Sequence, residues 1–340
     1  MTPSPDQQKQ ALTKQVISDL ESRLSSREAH VAARFAHLCL RRVPVEDLAS
    51  EAPSTLATIV IRQLEFMRQR PPGEMLIRVY NPSVDVEGWE SPHPIVEMIN
   101  DDMPFLVDTG TLALAEIGLG IHLIIHPVIR VSRDRQGKLK ALHDKKSGRG
   151  KAESVIQFQV DRRTSAVDHE EIEGRLVAAM EDVRSAVADW KAMESSAVDA
   201  ETRLQEWAGG LEEEWLDESR AFLRWLLDDN FVFLGVRDYR VARGKKQYEL
   251  QLVEGSGLGI LRETPDTVRA RPLTSLAEVA RKRGQPIPLI ITKTNARSTV
   301  HRAGYLDYIG VLKFDKQGRT IAERRFLGLF TSTAYNIAAM

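Results

Sequence analysis

Pro94 to Val131 reads PIVEMINDDMPFLVDTGTLALAEIGLGIHLIIHPVIRV, and its punctuation decides the fold of the first half of the chain. An apolar run, Ile95 to Ile99, is a strand. It enters a polar turn, Asn100-Asp101-Asp102, and a helix follows from about Met103-Pro104. An aspartate there can accept a bond from a free amide of the first helical turn, and its charge suits the positive helix end. Pro104 is tolerated at that position, where its missing N–H has no helical partner. Gly118 closes the helix because glycine takes the left-handed conformation freely. A long strand then leaves from Leu119, placing Ile121, Leu123, Ile125 and Ile129 on one face. Pro127 inside it marks an edge or a bulge. Amides and carboxylates at a helix N-terminus can also hold a small polar ligand. Asn100, Asp101, Asp102, Met103 and Pro104 are therefore the candidate effector turn, although local chemistry favours capping.

Outward from this unit, the N-terminal side is helical. Residues 1 to 6 are expected to be disordered. Leu12, Val16, Leu20 and Leu24 then recur at helical spacing. Ser25 and Glu28 have capping-box spacing for a second helix with Val31, Phe35 and Leu38. A third helix, Leu56 to Met67, stops at Pro71-Pro72-Gly73. Met75 to Tyr80 is a strand. On the C-terminal side, Asp134 to Lys138 is a turn, and a basic, mobile loop runs to about Gly150. Ser154 to Asp161 alternates as a strand. A long amphipathic helix with Ile172, Leu176, Met180, Val183, Val187 and Trp190 follows.

Beyond a helical connector, a helix carries Phe222, Leu223, Leu226 and Leu227 and ends at Asp228-Asp229-Asn230. The remainder is strand-rich: Phe231 to Val241, Gln247 to Val253, Pro288 to Thr292, Tyr305 to Phe314 and Thr320 to Phe330. The last two are joined by a hairpin at Asp315 to Arg319. The expected class is α+β. N-terminal helices (1–72) lead to a ferredoxin-like α/β sandwich (73–195), a helical connector (196–230) and a mostly antiparallel β domain (231–340). The abrupt ending after Asn336 suggests a fragment or a truncated frame.

Composition narrows the function classes. The 340 residues carry a formal net charge of -1, with 42% hydrophobic and 28% charged residues. Bulk charge therefore gives no support for a nucleic-acid or membrane-surface role. One cysteine, Cys39, excludes an intramolecular disulfide and a multi-cysteine metal site, and it reads as a small buried hydrophobe. The polar N-terminus lacks a signal peptide's apolar core, and no run reaches the ~20 apolar residues of a membrane span. A reducing, cytoplasmic compartment fits.

Specific chemistry is sparse. Gly255-Ser256-Gly257-Leu258-Gly259 lacks the spacing and following helix of a dinucleotide fingerprint and reads as a tight loop. His122 and His126, four apart on a strand, are ~13 Å distant and cannot share one metal ion. Ser298 and His301 lack an orienting carboxylate. Arg297, His301 and Arg302 are a candidate contact for an anion or another domain, with a solvated basic loop as the alternative. No catalytic, cofactor or metal residue is expected.

Three long strings carry a resemblance: INDDMPFLVDTGTLALAEIGLGIHLIIHPVIRVSRDRQGKL (Ile99–Leu139), FLRWLLDDNFVFLG (Phe222–Gly235) and PLIITKTNARSTVHRAGYLDYIGVLKFDKQGRTIAERRFLGLFTSTAYN (Pro288–Asn336). From about Val31 to Asn336 the chain resembles the N-terminal region of the large bacterial NAD-specific glutamate dehydrogenases. That resemblance implies an ACT-type module, then a PAS-like sheet domain, both non-catalytic. It implies NAD as cofactor of the full-length enzyme and none in this chain. The expected partners are a homo-oligomer or the remaining dehydrogenase domains, with an amino-acid effector at the Asn100 turn. The alternative reading is a stand-alone amino-acid-binding or interaction module.

Overall fold

The computed structural model describes residues 4–41, 43–49, 51–143, 147–162, 166–208, 210–243, 248–263 and 287–332. The chain divides into two compact units, Met1–Ala178 and Ala179–Met340. No helix among the described residues is long and apolar enough to cross a membrane.

The first unit opens with helices α1 (Pro5–Arg23), α2 (Ser26–Leu40), α3 (Val45–Ala49) and α4 (Pro53–Met67). Helix α1 begins earlier than its hydrophobic spacing predicts. Ser4 Oγ accepts from the Gln7 amide and the Gln7 side chain accepts from the Ser4 amide, so a capping box orders a stretch expected to be disordered. The capping box expected at Ser25 does not form. Its hydroxyl donates to Glu28 Oε2 at 2.7 Å, and the two cap side chains satisfy each other instead of the backbone.

Next come β1 (Leu76–Tyr80), the short α5 (Val84–Glu87), β2 (Ile95–Asp101), α6 (Leu106–Glu116), β3 (Ile121–Ile125), β4 (Val128–Arg133), β5 (Leu139–His143), β6 (Lys151–Val160) and the 37-residue α7 (Ala166–Thr202), which passes into the second unit. The sheet runs β1-β2-β6-β4-β5, antiparallel throughout, with β3 also on β6. Strands β2 and β3–β4 thus run parallel on either side of β6, and α6 connects them. The edge place beside β2 is filled by β1, which precedes this unit in the chain.

The single strand expected from Leu119 to Val131 is two, β3 and β4, because Pro127 cannot donate to β6. Its carbonyl still accepts from the Val155 amide at 3.1 Å, so the ribbon stays attached. A register shift between Ile121 and Leu123 puts Ile121 off the face shared by Leu123, Ile125 and Ile129. The basic loop expected to be mobile up to Gly150 contains β5. Beyond it, Arg130 donates to the carbonyls of Gly148, Arg149 and Gly150. One sheet face, with Ile99, Ile129, Val131 and Val155, shares a core with Val16, Leu20, Phe35, Val60 and Met67 of the helices. Cys39 is buried there, and burial raises its thiol pKa.

Residues Ala179 to Thr202 of α7 bury Val183, Ala186, Asp189, Met193, Ala197 and Ala200. Trp190 lies off that line and is 50% exposed, contrary to the expected stripe. The unit continues with α8 (Leu204–Trp207), α9 (Glu213–Trp225), a π-turn (Leu226–Asn230), β7 (Phe231–Arg243), β8 (Tyr248–Leu252), β9 (Leu258–Gly259), β10 (Leu289–Arg297), β11 (Tyr305–Phe314) and β12 (Thr320–Phe330). The antiparallel order is β10-β11-β12-β7-β8, with β9 on β7. Phe233, Val236, Ile309, Val311 and Phe326 share a core with Met193, Leu204, Trp207, Leu216 and Leu223. Residues 333–340, where the abrupt ending is expected, lie outside the described residues.

Asp134 and Asp315 build the same hairpin turn. Each Oδ1 accepts from amides two and four residues on, and Gly137 and Gly318 follow with positive φ. At Gly137 a Cβ would lie 1.9 Å from the Arg70 carbonyl, whereas at Gly118, also with positive φ, nothing lies within 4 Å. Gly118→Ala is expected to cost about 1 kcal/mol of left-handed strain. Gly137→Ala, strained and clashing with backbone, is expected to cost at least about 3 kcal/mol. Urea denaturation of both variants measures the difference.

In the second unit the carboxylate of Asp189 accepts from Arg262 Nε at 2.6 Å, Arg262 Nη2 at 2.7 Å and the Gly259 amide at 2.8 Å. Arg262, then the amide, hold it below the ordinary aspartate value. Its stabilising contribution is therefore present above the unfolded pKa and lost as pH falls through the lower folded pKa. Asp189→Asn is expected to lower stability at neutral pH and to flatten this acid limb, measured by denaturation as a function of pH.

Candidate functional site

Strand β2 overruns the expected turn. Asp101 pairs with Glu153 in the ladder, and the Asp102 amide donates to the Ala152 carbonyl at 3.0 Å. Helix α6 begins only at Leu106, after Phe105 in a left-handed conformation with φ 73°, and no side chain caps it. Pro104 therefore precedes the helix rather than opening it. The capping role expected for the aspartates is not the one they play. Adjacent strand residues face opposite ways, and each carboxylate is taken by a different partner. Gly118 does end α6 as expected, with φ 73° and its amide donating to Ala115.

Asp101 faces the helical side. Its Oδ1 accepts from Arg70 Nη2 at 2.8 Å. Arg70, just beyond α4, also donates through Nη1 to Glu153 Oε1 at 2.7 Å and through Nε to the Glu74 carbonyl. Arg133 on β4 grips Glu153 from the other side, Nε to Oε1 at 2.7 Å and Nη2 to Oε2 at 2.8 Å. Its Nη1 donates to the carbonyls of Met67 and Gly137. Arg70 and Glu153 are 3% and 2% exposed, Asp101 43%. A buried carboxylate held by two forked guanidiniums is the fixed part of this site, and Asp101 is its solvent-facing arm. Arg70, Asp101, Arg133, Lys151 and Glu153 line a cavity of about 310 Å³ together with Pro71–Gly73, Gly137 and Gly150. Both signs of charge converge on one hollow.

Asp102 faces the other side. The Ser154 hydroxyl donates to its Oδ1 at 2.7 Å, and His126 Nε2 lies 3.0 Å from the same hydroxyl. Buried Asn100 is on this face too. The serine sits between acid and imidazole, so this chain of bonds has no triad order. His122 is separate: Nε2 meets Asp161 Oδ1 at 2.9 Å and its ring stacks on His93. The Gly120 amide first, then His122, hold the Asp161 carboxyl below its usual range. Among the described residues no cluster of three or more His, Cys, Asp or Glu could hold a metal ion.

In the second unit, the Arg297 guanidinium lies over the Tyr305 ring at 5.5 Å and Arg302 Nη2 donates to the Phe330 carbonyl at 2.8 Å. His301, which lies between them in sequence, has φ 72°. The Ser298 hydroxyl donates to the Val300 carbonyl. Leu258-Gly259 of the glycine-rich loop form β9 on β7.

Sequence reading missed Arg70, Arg133, Lys151 and Glu153. A signal was present at Glu97, which interrupts the apolar run Ile95 to Ile99, because a buried carboxylate needs a cation; Glu153, between Lys151 and Ser154, carried no such signal. Glu97 finds Arg78, while burial still raises its pKa.

Residues 35–176 match the family described as glutamate dehydrogenase, ACT1 domain. The span begins within α2, ends within α7, and contains the whole Arg70–Glu153–Asp101 cluster. The chain is 36% identical over 331 residues to an NAD-specific glutamate dehydrogenase of Halomonas elongata, covering 96% of this chain and 20% of that protein. It is 30% identical to the enzyme of the same name from Pseudomonas aeruginosa, covering 95% and 20%, and 27% identical to that of Mycobacterium tuberculosis, covering 85% and 17%. The chain thus spans about a fifth of the length of the curated relatives it matches. A solved structure of an RNA-binding light-oxygen-voltage receptor aligns with 87% of this chain and 90% of that chain at 9% identity, with a TM-score of 0.20.

The cluster predicts an asymmetry. Glu153→Gln leaves Arg70 and Arg133 short of their buried counter-charge and is expected to cost about 3–5 kcal/mol. Asp101→Asn, at a half-exposed pair, is expected to cost no more than about 1 kcal/mol. Chemical denaturation of the two variants checks this ranking.

Proposed function

The chain belongs to the NAD-specific glutamate dehydrogenase family, and on that premise we propose that it is a non-catalytic regulatory and assembly portion of such an enzyme. In this reading, oxidative deamination of L-glutamate to 2-oxoglutarate and ammonia with NAD is carried out by residues outside this chain. The partners are the remaining dehydrogenase domains and further copies of the same polypeptide, and the compartment is the cytoplasm.

Two features of topology support the modular reading. In the first unit, the order of β2, α6, β3–β4 and β6, with β1 in the edge place that a last strand would usually take, supports a ferredoxin-like, ACT-type sandwich. In the second unit, the order β10-β11-β12-β7-β8 supports a PAS-like sheet.

The observation that carries a regulatory role is the hollow at the end of β2. Asp101 offers a carboxylate to an ammonium group. Arg70, Arg133 and Lys151 line the same hollow and supply positive charge for a carboxylate. A free α-amino acid presents both charges on one carbon, and 310 Å³ accommodates it. Binding there would compete with the Arg70–Asp101 pair and so alter how the segment after α4 is held to the sheet.

Titration calorimetry of the chain against the common L-amino acids is expected to find saturable binding by at least one, lost in Asp101→Ala. Absence of binding by all of them, or undiminished binding by the variant, would remove the effector role. NAD-dependent glutamate turnover by the purified chain would overturn the non-catalytic assignment.

A further inference from the structure

The second sheet carries a buried basic pair that no role above uses. Arg325 on β12 and Arg237 on β7 are direct cross-strand partners, so both side chains leave the same face. They are 2% and 5% exposed. The Arg325 guanidinium lies 4.0 Å from the ring centre of Tyr239 and 4.9 Å from that of Tyr308. Its Nε donates to Glu323 Oε1 at 3.0 Å, and the Tyr308 hydroxyl donates to the same oxygen. Gly310, opposite Arg325 on β11, adds no side chain. Arg237 Nη2 donates to the Leu261 carbonyl.

Two donors are left over. Among the described residues, neither Nη2 of Arg325 nor Nε of Arg237 has a hydrogen-bond partner, and both atoms are buried. Charge is out of balance as well. Arg325 pairs with Glu323, whereas among the described residues Arg237 has no carboxylate partner. Like charges facing each other across strands repel, and a buried guanidinium N–H without an acceptor loses its hydration for nothing.

We propose that Arg325 and Arg237 form a binding site for a small organic carboxylate, whose oxygens accept from the two free donors and whose charge offsets the second arginine. A flat guanidinium, fixed between two aromatic rings, matches a flat carboxylate better than a tetrahedral anion. The site is distinct from the Asp101 hollow, which belongs to the first unit. Its occupancy would be felt at the turn after β9, because Arg237 is tied to Leu261 and the next residue, Arg262, is held by Asp189.

The test titrates the full chain with succinate, acetate and inorganic sulfate, read by calorimetry and thermal unfolding. Saturable binding of succinate or acetate is expected, with a melting temperature that rises with concentration. Arg325→Lys keeps the charge but loses the fork, and is expected to weaken carboxylate binding about tenfold or more. Arg237→Gln removes the second cation, is expected to weaken carboxylate binding by a similar factor, and serves as the informative variant should Arg325→Lys fail to give a native circular dichroism spectrum. Asp101→Ala leaves this binding unchanged, which separates the site from the amino-acid hollow. The assignment is overturned if neither carboxylate binds, if sulfate binds as tightly as both, or if folded Arg325→Lys and Arg237→Gln bind like the wild type.

Discussion

Glu153 is the constraint on which the first unit depends. It is a carboxylate in the middle of a sheet, shut away from water, and such a group is tolerated only when cations surround it. Arg70 and Arg133 meet that need from opposite sides. Their remaining donors go to Glu74, Met67 and Gly137, which fixes the end of α4 and the β4–β5 hairpin relative to β6. One buried charge thus sets the place of three segments distant in sequence. The hollow beside Asp101 is a consequence of this geometry, since its walls are the segments that the two arginines hold.

The second unit handles buried charge differently. Arg324 and Arg325 are adjacent on β12 and leave opposite faces. Arg324 is matched by Asp238 and Asp199 and stays close to neutrality locally. Arg325 is served by a single glutamate and two aromatic rings. The contrast within one dipeptide distinguishes a structural ion pair from an arginine with capacity to spare.

Much of the fold was legible because its signals are local. Tyr305–Phe314 and Thr320–Phe330 emerged at their observed bounds, since alternation brackets an aspartate–glycine turn with chemistry of its own. The α4 end at Pro71-Pro72-Gly73 and the α6 end at Gly118 were equally local. The functional residues were not. Arg70 lies 31 residues from Asp101 and 83 from Glu153, and nothing in either neighbourhood names the other. The aspartates of the turn were read as caps because a cap is what adjacent residues can offer. The strand ladder extended two residues further and gave their side chains to distant partners. Ser4 and Ser25 show the same limit on a smaller scale: Ser4 closes a capping box with Gln7, whereas the Ser25 hydroxyl turns to the Glu28 carboxylate.

The position of β1 bears on how the polypeptide is made. In a sheet whose edge strand comes last, the central strands must wait for the final segment. Here β1 leaves the ribosome before β2, and its partner emerges directly behind it. Once Val160 has been synthesised, every strand of the first sheet is available for pairing. Folding of this unit can then run concurrently with translation of the second unit, and its apolar faces need not stay open while the later strands are made.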